Sequence, residues 1–380
     1  MNIFDPIVLK ELYNNYAWFF NLAVLLIAGL LTYYLIPKVV WVAKQKGLYK
    51  KVNSRSSHTG RVPSLGGIAF YIAFVLVVSI LQTVADHESG NYLIGAVTIM
   101  FIVGVKDDLV VSSARVKLIG QLLATAFIIF SPAMHISSLH GFLGIYEIPS
   151  FLGYIISSFI IIAIVNSYNL IDGINGLAGI IGIVISGVYA VAFSLIEGQD
   201  FFFLLSLFCF GTLVAFLRFN FSRGHRKIFM GDSGSLMMGF ILGVLSVKLL
   251  KIHTNIDLIG AGGDAQNRLL FLGAALFIMF FDTSRVMIVR KWEGYSPFRA
   301  DRNHMHHILL DLGLSHLKTS ALLGAFNFMI VAIYFLLSAN LSTTWLIVSL
   351  GVIYIGLFSF CGYCKKIVNK KVAQEEVVNT

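Results

Sequence analysis

The sequence predicts an all-α fold: a polytopic bundle of about eleven transmembrane helices, N-terminus outside and C-terminus cytoplasmic. Three observations carry this expectation. Of 380 residues, 57% are hydrophobic and 12% charged, whereas soluble domains run near about 25% charged. Apolar runs of 14 to 22 residues recur along the whole chain. Basic residues gather on alternate connecting segments. Abundant aromatics, rare proline and three cysteines exclude disordered, collagen-like and disulfide-scaffold classes. The net charge of +9 fits loops facing anionic lipid rather than nucleic acid, so no nucleic-acid partner is expected.

The expected spans are 18–37, 66–84, 92–105, 117–133, 151–165, 176–196, 201–217, 235–250, 268–289, 319–338 and 343–362. They leave no room for an appended soluble unit, so residues 1–380 read as one membrane domain. The first span lacks a basic region ahead of it and is followed by a basic stretch, unlike a cleaved signal peptide. Segment 38–64 holds seven Lys and Arg and no acid, which places it inside. Alternation then puts 106–117, 166–175, 218–234, 290–318 and the basic tail 363–380 inside as well. These six segments carry 23 of the 28 basic residues. Spans 92–105 and 151–165 have only 14 and 15 residues, about 21–22 Å of helix against a core near about 30 Å. Either these helices continue through Asp107 and Asn166 or the bilayer is thinned there. Both options draw polar groups to the inner interface, where such residues commonly mark function.

Five inner segments carry unusual chemistry. In GVKDDLV (104–110), the pair Asp107 and Asp108 suits a hard divalent cation, or is a solvated helix end with Lys106 as partner. NSYNLIDGINGLAG (166–179) places Asn166, Asn169 and, if the helix persists, Asp172 at i, i+3, i+6 on one face. Amides and a carboxylate there suit a base or sugar, whereas a plain turn is the structural alternative. RGHRKIFMGDSGS (223–235) joins glycines, a helix N-terminus and Asp232, an arrangement for phosphate and Mg²⁺; Asp232 and Ser233 equally suit N-caps. In 280–313, Asp282 and Arg285 at i, i+3 read as a structural ion pair. The loop after them holds Arg299, Asp301, Arg302, His304, His306 and His307, which suit anionic phosphates better than zinc. In 50–67, Arg55, His58 and Arg61 precede Pro63 and Gly66-Gly67. The CxxC at Cys361 and Cys364, with Cys209, reads as reduced bystanders.

Five ordered motifs carry a resemblance: NxRxxH…PxxGG, DD…KLxxQ, NxxNxxDGxxGL, IFMGDSGS and GxSPFxADRxHxHH. Together they resemble the polyprenyl-phosphate N-acetylhexosamine-1-phosphate transferases of glycosyltransferase family 4. SPFRADRNHMHH (296–307) points to the WecA/TagO-like branch. The resemblance implies transfer of an N-acetylhexosamine-1-phosphate, GlcNAc-1-phosphate foremost, from a UDP-sugar to undecaprenyl phosphate at the cytoplasmic face of the bacterial inner membrane. UMP is released and a lipid-linked cell-envelope glycan begins. The resemblance implies Mg²⁺, or Mn²⁺ in its place, with Asp107, Asp108 and Asp232 as the catalytic residues and the same three carboxylates as metal ligands. Asn166, Asn169, Asp172, Lys117, Arg302, His304, His306, His307, Arg55 and His58 are the implied substrate-binding residues. The implied partners are UDP-N-acetylhexosamine, undecaprenyl phosphate and the bilayer, and a homodimer is compatible.

The sequence departs from some relatives at Val111 and Ser112, where they carry a third acid, and at Asn175, where many have Asp; Asn175 is given no catalytic role. A phospho-MurNAc-pentapeptide transferase of peptidoglycan synthesis is the alternative within the family, and the SPFRADR loop argues against it. A secondary transporter of an anionic solute is the alternative of another class. It predicts an internal repeat and polar residues near the midplane; only Asp282 and Arg285 lie that deep, and no repeat is evident.

Overall fold

The computed structural model describes residues 6–49, 62–85, 89–110, 112–131, 134–253, 264–299 and 301–378. In chain order the helices are α1 (Pro6–Asn15), α2 (Ala17–Gln45), α3 (Gly66–Val84), α4 (Ser89–Leu109) and α5 (Ala114–Ile129). A hairpin of β1 (Ser138–Phe142) and β2 (Ile145–Glu147) separates these from α6 (Ser150–Ile171), α7 (Leu177–Ser194), α8 (Asp200–Asn220) and α9 (Gly231–Lys251). The chain ends with α10 (Arg268–Ala275), α11 (Phe277–Trp292), α12 (Met305–Asp311), α13 (His316–Ser338) and α14 (Thr343–Val378). The all-α membrane architecture is thus present, and the hairpin is the one small sheet among the described residues.

Each of the eleven expected segments is helical. Eight described helices are long and apolar enough to cross a membrane, or nine when α10 and α11 count as one bent span. The remaining two expected segments correspond to α4 and α5, of which α5 has only 16 residues. The two short spans resolve in favour of continued helix: α4 runs through Asp107 and Asp108, and α6 through Asn166 and Asn169. Much of the expected inner segment 166–175 is therefore helix, and the basic tail continues α14. Large apolar side chains such as Trp18, Leu30 and Trp41 lie exposed along α2, the pattern of a lipid-facing helix rather than a soluble one.

At the centre stands α9, its whole apolar window buried, packed chiefly against α6 and α4. Small residues permit that closeness, as is common between membrane helices. A Cβ on Gly239 would lie 3.0 Å from the Val165 Cα, and one on Gly243 would lie 3.1 Å from the Ile161 Cα. The sequence predicts one straight span over 268–289, whereas the structure breaks it by 69° between α10 and α11. Asn327 of α13 answers the backbone groups freed there. Its Oδ1 accepts the Ile278 N–H at 3.1 Å and its Nδ2 donates to the Ala275 carbonyl at 2.9 Å. A bend inside a membrane persists only when such groups are satisfied.

Candidate active site

The catalytic candidates come from four helices and meet at one end of the bundle. Asp107 and Asp108 close α4, Lys117 opens α5, Asn169 and Asp172 end α6, and Asp232 begins α9. Gly104 lets α4 reach the start of α9: a Cβ there would lie 2.4 Å from the Ser233 Cα. Gly231 adopts φ +73°, a left-handed conformation that glycine takes without strain. A side chain at that position would also strike the Ser64 carbonyl oxygen at 2.1 Å.

The pairings assign different tasks to the three carboxylates. Asp108, 7% exposed, accepts the Asp232 N–H at 2.8 Å, the Ser233 N–H at 2.9 Å and the Ser233 hydroxyl at 2.6 Å. It therefore caps α9 from another helix, favourable for a negative charge at a helix N-terminus. The N-cap roles suggested for Asp232 and Ser233 do not occur, because α9 starts earlier, at Gly231, and neither side chain caps it. Lys117 Nζ pairs with Asp107 Oδ2 at 2.8 Å and also with Asp232 Oδ2. The Asp107 Oδ1 accepts the Ser112 N–H at 2.7 Å. Asn169 Nδ2 donates to Ser235 Oγ at 2.7 Å and to Asp232 Oδ1 at 3.4 Å. Asn166 instead exchanges hydrogen bonds with Gln121 at 2.8 and 3.2 Å. Asp172 follows the last residue of α6 with ψ 38°, so it leaves the expected shared face of Asn166 and Asn169.

Asp172 lines a cleft of about 150 Å³ with Ser64, Gly173, Asn220, Gly231 and Asp232. The histidine loop packs behind Gly173, one of the residues that line it. His306 is 2% exposed with both ring nitrogens unpartnered, and a Cβ on Gly173 would lie 2.5 Å from its Nε2. Burial pushes the His306 imidazole down to about 3, only partly opposed by Asp282, and pushes His307 down to about 4. Both are neutral imidazoles near pH 7. His304 turns away, onto Asp282 at 2.9 Å. Arg302 is half exposed and pairs with Asp311 at 3.2 Å. Burial would raise the Asp301 carboxyl, but the Arg290 fork at 2.8 and 3.0 Å outweighs it and holds the group at about 2. Arg55 and His58 lie outside the described residues.

Sequence reasoning passed over Ser64, Gln121, Ser235, Arg290 and Asn303 as functional residues. Gln121 was signalled by its i+4 spacing from Lys117; Ser64 and Arg290 carried no local signal.

Comparisons with known proteins decide the family. Residues 91–250 match Glycosyl transferase family 4. A "Probable undecaprenyl-phosphate N-acetylglucosaminyl 1-phosphate transferase" of Bacillus subtilis (strain 168) is 30% identical over 340 residues, 88% of this chain and 89% of the relative. The chain belongs to glycosyl transferase family 4. The undecaprenyl-phosphate alpha-N-acetylglucosaminyl 1-phosphate transferase of Escherichia coli (strain K12) is 28% identical over 341 residues, 86% of this chain and 85% of that one. A decaprenyl-phosphate N-acetylglucosaminephosphotransferase of Mycolicibacterium smegmatis is 27% identical over 327 residues, 78% and 77% of the two chains. The family match encloses Asp107, Asp108, Lys117, Asn169, Asp172 and Asp232. The loop with His304, His306 and His307 lies beyond it.

Proposed function

We propose that this membrane protein transfers GlcNAc-1-phosphate from UDP-GlcNAc to undecaprenyl phosphate at the cytoplasmic face of the bacterial inner membrane. A phosphate oxygen of the lipid attacks the sugar-bearing phosphorus of the donor. A new diphosphate linkage to the lipid forms, the old P–O bond breaks, and the oxygen and its electron pair leave with UMP. The observation that carries this reading is the meeting of Asp107 and Asp232, from separate helices, around Lys117 beside the cleft.

Three carboxylates against one ammonium leave the cluster short of positive charge, and both reactants are anions. Among the described residues no group of three His, Cys, Asp or Glu forms a ready metal cage. Mg²⁺ fits such a place, since it is usually held by one or two carboxylates together with substrate phosphates and water. Asp107 and Asp232 would hold it, and the cation would screen the diphosphate and orient it. Asp108 spends both oxygens on the start of α9, so its part is to place Asp232. Lys117 balances charge between Asp107 and Asp232, and Asn169 fixes the second oxygen of Asp232. Asp172 lines the cleft and the neutral, buried His306 packs against its Gly173 wall, where the donor sugar and nucleotide would lie.

The finer topology belongs to the same reading: eleven crossings with α4 and α5 included, N-terminus outside, C-terminus inside, one domain and a compatible homodimer. The test is UMP release by purified protein given UDP-GlcNAc, undecaprenyl phosphate and Mg²⁺. Release that needs the lipid and stops with EDTA is the expected result; none with any UDP-N-acetylhexosamine would overturn the reading.

A further inference from the structure

The buried carboxylate of Asp282 sits on α11, one face of which is enclosed in the bundle, and it points into the histidine loop rather than at the acidic cluster. Its Oδ1 accepts the Met305 N–H at 2.7 Å and Arg285 Nη2 at 3.2 Å. Its Oδ2 accepts the His304 Nδ1–H at 2.9 Å, because a carboxylate cannot donate. Met305 is the first residue of α12, so Asp282 satisfies an orphan N–H at that helix start from a different helix. Arg285 Nη2 also binds the Asn303 carbonyl. Asn303 has its other polar atoms engaged too. Its N–H and Nδ2 donate to Asp301 at 2.9 and 3.0 Å, and its Oδ1 accepts Lys365 Nζ of α14 at 2.6 Å. The turn into α12 is thereby fixed from two helices.

One residue beyond Met305, His306 lies against Gly173 with its ring nitrogens unpartnered. We propose that Asp282 is the positioning residue of this turn: it sets the start of α12 and, through it, the place of His306 against Gly173, which lines the cleft beside Asp172. The two i, i+3 groups Asp282 and Arg285 thus do more than neutralise each other inside a membrane helix, since each also holds a loop atom. This inference rests on the transferase reading. It makes Asp282 a determinant of donor use that never touches the donor.

The experiment compares wild type, Asp282→Asn, His306→Ala and the double variant in UMP release, with the UDP-sugar and the lipid varied separately. Asp282→Asn is expected to lower kcat/KM for the UDP-sugar on the order of 10²-fold, the cost of about 1 Å of misplacement. The KM for undecaprenyl phosphate should stay within about twofold. Added to His306→Ala, the same change should cost less than about twofold more, because residues acting as a unit are not additive. Losses that multiply in the double variant overturn the proposal, as does a fall that weighs equally on both substrates. Asp282→Glu replaces Asp282→Asn if the latter does not purify, and the same donor-selective loss is expected. A wild type that releases no UMP defeats the transferase reading separately. The proposal is then read from amide exchange across residues 301–307, expected to quicken about tenfold or more in Asp282→Leu; unchanged exchange overturns it.

Discussion

Replacing Asp108 by Asn tests whether this carboxylate is a helix cap or a free metal ligand. Its two oxygens serve three donors at 2.6 to 2.9 Å, two of them backbone N–H groups at the start of α9. An amide has one acceptor oxygen, so whichever way it turns, its NH₂ faces a buried donor. An unsatisfied buried donor costs about 1–3 kcal/mol, and the surviving bonds each weaken by about 1 kcal/mol on losing the charge. Removing a buried charge recovers part of this. The net destabilisation is about 2–3 kcal/mol, an increase of about 30- to 150-fold in the unfolding equilibrium. Denaturant titration in mixed micelles reads that term, and a Mg²⁺ titration of UMP release on the same samples reads the other. Stability should fall while the apparent Mg²⁺ affinity changes less than about threefold. Unchanged stability with Mg²⁺ affinity weakened tenfold would refute the cap and make Asp108 a ligand.

Asp232→Asn should abolish Mg²⁺-dependent UMP release while the protein still folds and elutes as wild type; near-normal turnover would remove Asp232 from the metal site. Gly173→Ala places a methyl group where the His306 ring now lies, 2.5 Å from Nε2. It should raise the UDP-sugar KM about tenfold or more and leave the lipid KM alone, which two-substrate kinetics decides. His306 and His307 titrate at about 3 and about 4 when folded but near about 6.5 when unfolded. Between those values the unfolded chain binds more protons, so stability declines as pH falls from about 6.5. His306→Gln should flatten that decline in unfolding measured from pH 7 to 5, and an unaltered slope would contradict the buried neutral state.

Much of the fold was legible because hydropathy and length act locally. Every expected span falls on helix, one of them on the bent pair α10 and α11. Of the two readings left open by the shortness of 92–105 and 151–165, the structure has the continued helix, through Asp107 and Asn166. The 69° break was not legible, since Asn327, which satisfies the backbone groups freed there, lies some fifty residues away in sequence, and no Pro stands at the spot. The meeting of Asp107, Lys117, Asn169 and Asp232 was foreshadowed by alternating loops that put their motifs at one end. Which carboxylate does what was not, because Asp107 and Asp108 are adjacent and chemically identical. Only the direction each takes from the end of α4 separates a partner of Lys117 from a cap on α9. Asn166 and Asn169 divide in the same way, one toward Gln121 and one toward Asp232. Asp282 and Arg285 looked like a self-contained pair because the loop atoms they hold lie across a turn that periodicity does not describe.

Asn327 has a mechanical consequence. On the same helix, Ser320 donates to the Asn175 carbonyl at 2.7 Å, next to the turn that carries Asp172 and Gly173. Helix α13 is therefore bolted at two heights, once to the corner between α10 and α11 and once to the wall of the cleft. The two bolts are seven residues apart, about 10 Å along the axis. A flexing of that corner that keeps both bolts tilts α13 like a lever and moves the cleft wall with it.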